Sequence, residues 1–394
     1  MSKAPKAVVI GRVSTSLLGM TRAIGEVGYD VISVKTVQKL PKPISWQRIA
    51  PQFRSKYVID YTFISEKDRE SLIEFLKKRC KSKGEKTLIL PTDDFSAETI
   101  DMYYNELKED FLMPNVQNKQ GGVVRLMDKG YQKQLAEKVG LNDTKCRTIT
   151  IEDGKFTLPD DIEYPVFVKP ATPIPKRKSF MGKCNSIEDL KKYVSGAAKL
   201  ADCDMLAEEY LEIDEELCFN GFSDSVHAQI PGMYEMAVGG TGSHSGVTVV
   251  GRLVPFSKYE EYKDAFTRFV ESLNFTGIFD IDVIKSGGKL YFNELNLRQG
   301  ASGYAFLLGG ANFAKMLSDV LHENYEYEPI EIKPVEVVNE RIALDEFSHG
   351  SISWDEYRKL VDKTQYGFMK CESDKKPQKY FALEEKRAKM KAKK

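Results

Sequence analysis

The stretch Gly277–Arg298 reads GIFDIDVIKSGGKLYFNELNLR, and its reading decides the architecture around it. Two apolar-rich runs, Gly277–Lys285 and Lys289–Leu295, flank Ser286-Gly287-Gly288 in the pattern of a β-hairpin. Strand side chains alternate with period two, so Asp280 and Asp282 share one face, and Phe292, Glu294 and Asn296 share one on the partner. A three-residue turn sets Asp282 opposite Phe292 and Asp280 opposite Glu294, bringing the polar groups to one side. A two-residue turn at Gly287-Gly288 sends them to opposite faces. We expect the odd-length turn. Two carboxylates and a carboxamide together suit a hard cation such as Mg²⁺, which takes oxygen ligands and shares them with nucleotide phosphates. Arg298, two residues past Asn296, adds a fixed cation for phosphoryl or acyl oxygens. A solvated hairpin with outward charges carries the same alternation.

Upstream, two lysines match that negative charge. Lys169 ends the apolar strand Pro165–Lys169, at a carboxyl end suited to meet phosphate. Lys129 falls in the first turn of an amphipathic helix that Gly140 closes, where free N–H groups also favour an anion. An ordinary surface lysine is the plainer reading of Lys129. The stretch Pro170–Lys183, with Pro173, Pro175, Lys176, Arg177, Lys178 and Gly182, reads as a basic loop over phosphates or as a plain surface loop. Glu208–Glu216 holds six acids and no base, either a solvated surface or a strand end facing an adenine and its ribose.

The N-terminal segment reads βαβ. Ala7–Ile10 is a buried parallel strand, a helix with Ser14 or Ser16 as cap follows, Gly28 ends it, and Tyr29–Val34 is the next strand. The turn lacks GxGxxG, which disfavours a dinucleotide site. Ser65 is read as the cap of a helix reaching Cys80, and Thr87–Leu90 as a strand ending in Pro91-Thr92-Asp93-Asp94. That turn is a site candidate at a strand's carboxyl end, or simply a helix cap. Further on, Ser186 caps a helix, Val226–Val238 and Val247–Phe256 are long strands, and Gly310–Glu323 is a helix. Val238–Gly246, with His244 and the following Arg252, reads as a substrate loop or a bare hairpin loop. The tail from about Pro334 is less informative and ends in the basic segment Lys386–Lys394, a solvated, frayed helix.

Composition excludes several classes. The 394 residues carry 58 Lys+Arg and 58 Asp+Glu, a net charge of zero that argues against a general nucleic-acid binder. The six cysteines form no CxxC and the four histidines no HExxH, which disfavours zinc. The run Ala7–Ile10 is too short for a signal-peptide core, and no stretch reaches a membrane span. We therefore expect a soluble, cytoplasmic chain with neither nucleic-acid nor membrane partners.

Taken in order, Asp128-Lys129, Tyr164–Pro170, Glu208–Leu211 with Glu216, and Asp282…Glu294-Leu-Asn296-Leu-Arg298 behind a Rossmann-like βαβ domain resemble the ATP-grasp superfamily of carboxylate–amine ligases. The segment from Ser16, with Pro91–Asp94, looks most like its D-aspartate ligase branch. The resemblance implies a mixed α/β and α+β chain: a Rossmann-like pre-ATP-grasp domain over 1–120, a small lobe over 121–210, a large lobe with the hairpin over 211–330, and a C-terminal extension over 331–394. It implies ATP and Mg²⁺ as cofactors, with Mn²⁺ as an alternative ion. Lys129 and Lys169 would contact the α- and β-phosphates. Glu208, Tyr210 and Leu211 would line the adenine hinge, and Glu216 would accept from ribose hydroxyls. Asp282, Glu294 and Asn296 would bind the metal, with Asp280 as an alternate. Arg298 would stabilise the acyl phosphate and, with Lys169, carry the catalysis.

The partners implied are small-molecule carboxylate and amine substrates, in a chain that resemblance allows as a homodimer. Three departures stand out. The phosphate loop is rich in Pro and Lys, Leu297 replaces the usual Pro, and Asp280 stands where D-alanine ligases carry Arg. Competing readings are a carboxylase or synthetase of the carbamoyl-phosphate or purine-biosynthesis type, and an ATP-binding sensor without turnover.

Overall fold

A computed structural model describes residues 4–41, 50–142, 144–171, 177–241 and 246–392, with the backbone alone at 177, 178 and 258. Among these residues the chain divides into two compact units. The first comprises 1–123, 217–280 and 296–394, and the second 124–216 and 281–295.

The first unit opens with β1 (Lys6–Gly11), β2 (Asp30–Val37), β3 (Val58–Ser65), β4 (Thr87–Pro91) and β5 (Phe111–Leu112). They form a parallel sheet in the order β3-β2-β1-β4-β5, with Val8 level with Ile32 and Ile89. The run Ala7–Ile10 is buried because helices cover both faces of such a sheet. The helix Ser14–Gly25 is buried throughout. Neither Ser14 nor Ser16 caps it, since Val13 holds the N-cap position. Gly28, at φ +99°, supplies the left-handed turn into β2. Asp68, not Ser65, caps the helix Arg69–Phe75 by accepting from the Ser71 N–H, and a π-helical turn carries the chain on to Cys80.

The second unit holds β7 (Cys146–Ile151), β8 (Val166–Pro170), β9 (Gly182–Cys184) and β10 (Cys203–Glu209), counting the short β6 (Asn115–Val116) in the first. The four make an antiparallel sheet ordered β7-β10-β8-β9. Ile149, Val166, Val168 and Met205 pack there against Leu190 and Val194 of the helix Ile187–Ala198, which Ser186 caps as expected.

A further sheet contains β11 (Glu215–Asp224), β12 (Ala228–Gln229), β13 (Gly232–Gly239), β14 (Thr248–Pro255), β15 (Phe275–Ser286), β16 (Lys289–Asn296), β17 (Val335–Val338) and β18 (Tyr366–Gly367). Its path runs β16-β15-β11-β13-β14-β17-β18, with β16 at one end. The long strand read over Val226–Val238 is broken at Ile230-Pro231, because proline has no N–H to give the ladder. The helix read from Gly310 starts at Phe313, with Asn312 as its cap.

The tail holds more structure than its sequence signals, and the helix read at its basic end is present from Lys376 to Lys391. Two of its strands join the sheet, and helices Glu340–Ser348, Trp354–Lys363 and Lys376–Lys391 follow. No helix of the described residues is long and apolar enough to cross a membrane.

Candidate functional site

The hairpin turn corrects one expectation. Strand pairing runs to Ser286 and resumes at Lys289, leaving Gly287 and Gly288 as a two-residue turn with φ +55° and +78°. Both angles are positive, as a type I′ turn requires. Uninterrupted pairing from that turn would put Asp282 and Glu294 on opposite faces.

The outer edge of β16 shows how the phase is restored. The Phe292 N–H points away from β15 to the Asn142 carbonyl at 2.9 Å. The Leu295 N–H also points outward, to the Gln132 side-chain oxygen at 2.8 Å. These positions are three residues apart, so alternation slips by one between them. Burial slips with it, from Leu290 and Phe292 to Leu295 and Leu297. A slip of one at Asn293-Glu294 is what a β-bulge produces, and it would set Glu294 and Asp282 on one face.

Within the second unit, lysines converge on this strand. Asp128 caps the helix Lys129–Lys138 and so fixes Lys129 in its first turn. Lys129 pairs with Glu294. Lys169, on β8, donates to the Asn293 side-chain oxygen at 3.0 Å. Glu208, on β10 opposite Phe167, lies 3.0 Å from Lys169 and 3.5 Å from Lys133. Lys129, Lys133, Lys169 and Glu208 are all buried. Gln132 holds the strand to the helix, its amide donating 2.7 Å bonds to the Leu126 and Leu295 carbonyls.

Lys133, Gln132 and Asn293 were not singled out from sequence. Lys133 had a signal, since it follows Lys129 by four residues and helical geometry puts both on one face. Replacing Glu208 by Gln should destabilise the protein by about 2–4 kcal/mol, because it leaves two buried ammonium groups short of a carboxylate. Urea unfolding measures this, and an unchanged midpoint would refute the pairing.

Glu216 and Asp282 also belong to this unit. Desolvation by surrounding atoms, and then the charge of Asp282, pushes the Glu216 carboxyl above the usual carboxylate range. Tyr210 gives its N–H to the Pro165 carbonyl at 3.1 Å, and its ring lies 3.8 Å from the Lys183 ammonium. Leu211 follows beyond the end of β10. Lys285 pairs with Glu215 at 2.6 Å. The 172–176 stretch, including Lys176, and the side chains of Arg177 and Lys178 lie outside the described residues. So does His244 with 242–245, while Arg252 pairs with Glu336 at 2.9 Å.

The first unit supplies Arg298. Its guanidinium meets Asp94 at 2.9 Å, Asn296 at 3.1 Å and Asp280 at 3.6 Å. Asp280 is buried and accepts from the Asn220 amide, and Asn220 accepts from Ser302 at 2.7 Å. Asp280 is thereby engaged in holding Arg298. Asp94 starts the helix after β4, and Asp93 caps that helix, so the Pro91–Asp94 turn serves as a cap and also reaches Arg298.

Nearby on β2, Lys35 donates to the Arg12 carbonyl at 2.7 Å and to Ser14 at 2.9 Å. Burial, followed by the charge of Arg341, pushes its ammonium down to about 8. Between that value and the ordinary 10.5 the folded chain holds fewer protons at Lys35 than the unfolded chain, so this group's contribution to stability rises with pH across the window. A ¹³C-methyl-lysine resonance titrating near pH 8, absent in Lys35→Met, is the expected NMR result.

No family model matches the chain. The D-aspartate ligase of Enterococcus faecium (strain Aus0004) is 24% identical over 271 residues, covering 64% of this chain and 62% of that protein. The chain thus spans less than two thirds of the length of this curated relative. Biotin carboxylase from Campylobacter jejuni superposes with a TM-score of 0.64 at 15% identity, over 85% of this chain and 75% of that one. An L-amino acid ligase from Bacillus licheniformis superposes with a TM-score of 0.60 at 13% identity, over 85% and 80%.

Proposed function

We propose that this chain, which has the ATP-grasp fold, is an ADP-forming ligase that activates a carboxylate as an acyl phosphate and joins it to an amine. The observation that carries the reading is the convergence of three buried lysines, Lys129 at Glu294, Lys169 at Asn293 and Glu208, and Lys133 at the same Glu208. Burying three ammonium groups together is unfavourable unless anions match them, and a polyphosphate suits that arrangement.

Lys129 and Lys169 bind phosphate oxygens, and Glu208 keeps Lys169 and Lys133 aimed. Glu208, Tyr210 and Leu211 line the adenine, and Glu216 accepts from the ribose. The donor set of Asp282, Glu294 and Asn296 is all oxygen and suits Mg²⁺, with Mn²⁺ as an alternative. Burial first, and then the neighbouring Asp282 charge, raises the Glu216 carboxyl, and a cation held by Asp282 would offset the second of these. When bound, such an ion neutralises charge on the transferring phosphoryl group.

In the first step a substrate carboxylate oxygen bonds to the γ-phosphorus as the bond to ADP breaks, while Lys169 spreads the charge. In the second an amine nitrogen bonds to the acyl carbon, phosphate leaves, and the amine gives up a proton. Arg298 stabilises the oxyanion between these events. No Ser, Cys or His nucleophile takes part. We place the small lobe over 121–210 and the large lobe over 211–330, with a homodimer acting in the cytoplasm on small-molecule substrates.

Incubation with Mg·ATP and pools of amino acids and amines tests this. ADP and phosphate released only when acid and amine are both present support ligation. AMP and pyrophosphate would sink the acyl-phosphate route. Bicarbonate-dependent release would favour a carboxylase, and binding without turnover a sensor.

A further inference from the structure

We propose that the solvent face of the helix Lys376–Lys391 docks the chain on an anionic lipid surface. The helix sequence is KPQKYFALEEKRAKMK, with six cations and two acids. Both acids point into the protein. Glu384 pairs with Arg341 at 3.0 Å, and Glu385 accepts from the Tyr357 hydroxyl at 2.6 Å and lies 3.4 Å from Arg358. Phe381 and Pro377 are buried on the same side, and Lys389 lies over the Trp354 ring at 4.4 Å. The outer face is left with Lys376, Lys379, Lys386, Arg387 and Lys391, all exposed. An ordinary solvated face mixes both signs, and this one does not.

Exposed apolar side chains sit among those cations. Tyr380, Leu383 and Met390 are 37%, 51% and 58% exposed. At about 100° per residue they fall within an arc of about 80° that Lys376 and Arg387 share. Lys379 and Lys386 border that arc on one side and Lys391 on the other. Apolar side chains interleaved with and bordered by cations fit the boundary between headgroups and acyl chains, with the cations among anionic headgroups. Phosphates of a nucleic acid would satisfy the cations and leave Leu383 and Met390 with nothing to bury against. The zero net charge of the whole chain conceals this one-sided field, so the sequence expectation of no membrane partner is revised for this face. The proposal stands independently of the ligase reading.

The test is sedimentation of the full chain with phosphatidylcholine vesicles, with and without phosphatidylglycerol, across a salt series. Binding to the mixed vesicles alone, weakening as salt rises, is expected. Lys379→Glu with Lys386→Glu should lower the partition coefficient about tenfold or more. Leu383→Asn should lower it as well, while the circular dichroism and thermal midpoint of both variants stay unchanged. Equal binding to neutral vesicles would overturn the proposal. So would no binding, indifference to both sets of substitutions, or retention of a single-stranded RNA by a protein that ignores the vesicles. Should the charge reversal unfold the chain, Leu383→Asn alone decides the outcome.

Discussion

Glu294→Gln is expected to lower ADP-forming turnover by about a thousandfold or more while leaving the chain folded. Gln keeps the volume and one acceptor oxygen of Glu294 and removes its charge. Glu294 is 20% exposed in its side chain, so the loss of charge does not open a cavity. What it removes is the anionic partner of Lys129 and one of the two carboxylates of the proposed donor set. On the proposed reaction both losses fall on the charge that develops during phosphoryl transfer, so the effect should appear in kcat more than in the midpoint of thermal unfolding. Because Lys129 and Glu294 act as a pair, Lys129→Met combined with Glu294→Gln should cost less than the product of the two single effects. Full activity in Glu294→Gln would remove this residue from the chemistry.

The legible parts of this chain are those fixed by local physics. Four successive apolar residues from Ala7 announce a buried parallel strand, and the caps Asp93, Asp128 and Ser186 act three residues from themselves. The convergence of Lys129 and Lys169 could be suspected because each stands where a strand or helix end offers an anion site. The hairpin was harder. Its turn is two residues long because consecutive glycines accept the positive φ values of a tight turn. The slip that compensates depends on Gln132, 163 residues from its partner Leu295, and on Asn142, 148 residues from Leu290. Alternation along β16 cannot reveal an edge partner so distant. Glu208 was legible as an acid near a strand end, but its place between Lys133 and Lys169 comes from pairing of β10 with β8. The tail looked less informative for the same reason. Its strands are short, and the groups that hold it lie more than 340 residues earlier.

That tail anchor gives the largest expected stability effect. Arg22 lies in the buried helix of the first βαβ unit and is itself 0% exposed. Its Nε donates to Asp374 at 3.1 Å, Nη1 to the Phe368 carbonyl at 2.6 Å, and Nη2 to the Met369 carbonyl at 3.2 Å. Asp374 also accepts from the Lys56 N–H at 2.9 Å. Glu340 accepts from the Met369 and Lys370 N–H groups on the other side of the same segment. Residues 368–374 are thus gripped by a cation through their carbonyls and by an anion through their N–H groups. Arg22→Met leaves Asp374 as a buried charge and takes a donor from three carbonyls, those of Phe368, Met369 and Asp374, an expected loss of about 3–5 kcal/mol. That is a large share of the ~5–15 kcal/mol typical of a folded chain. Asp374→Asn keeps an acceptor for Lys56 and should lose less. Replacing both, as Arg22→Met with Asp374→Leu, should recover part of the loss, since no isolated charge then remains buried. Urea unfolding followed by tryptophan fluorescence reads the effect, because Trp354 lies in the same compact unit. A loss under about 1 kcal/mol for Arg22→Met would mean that the pair, like many surface ion pairs, contributes little to the fold.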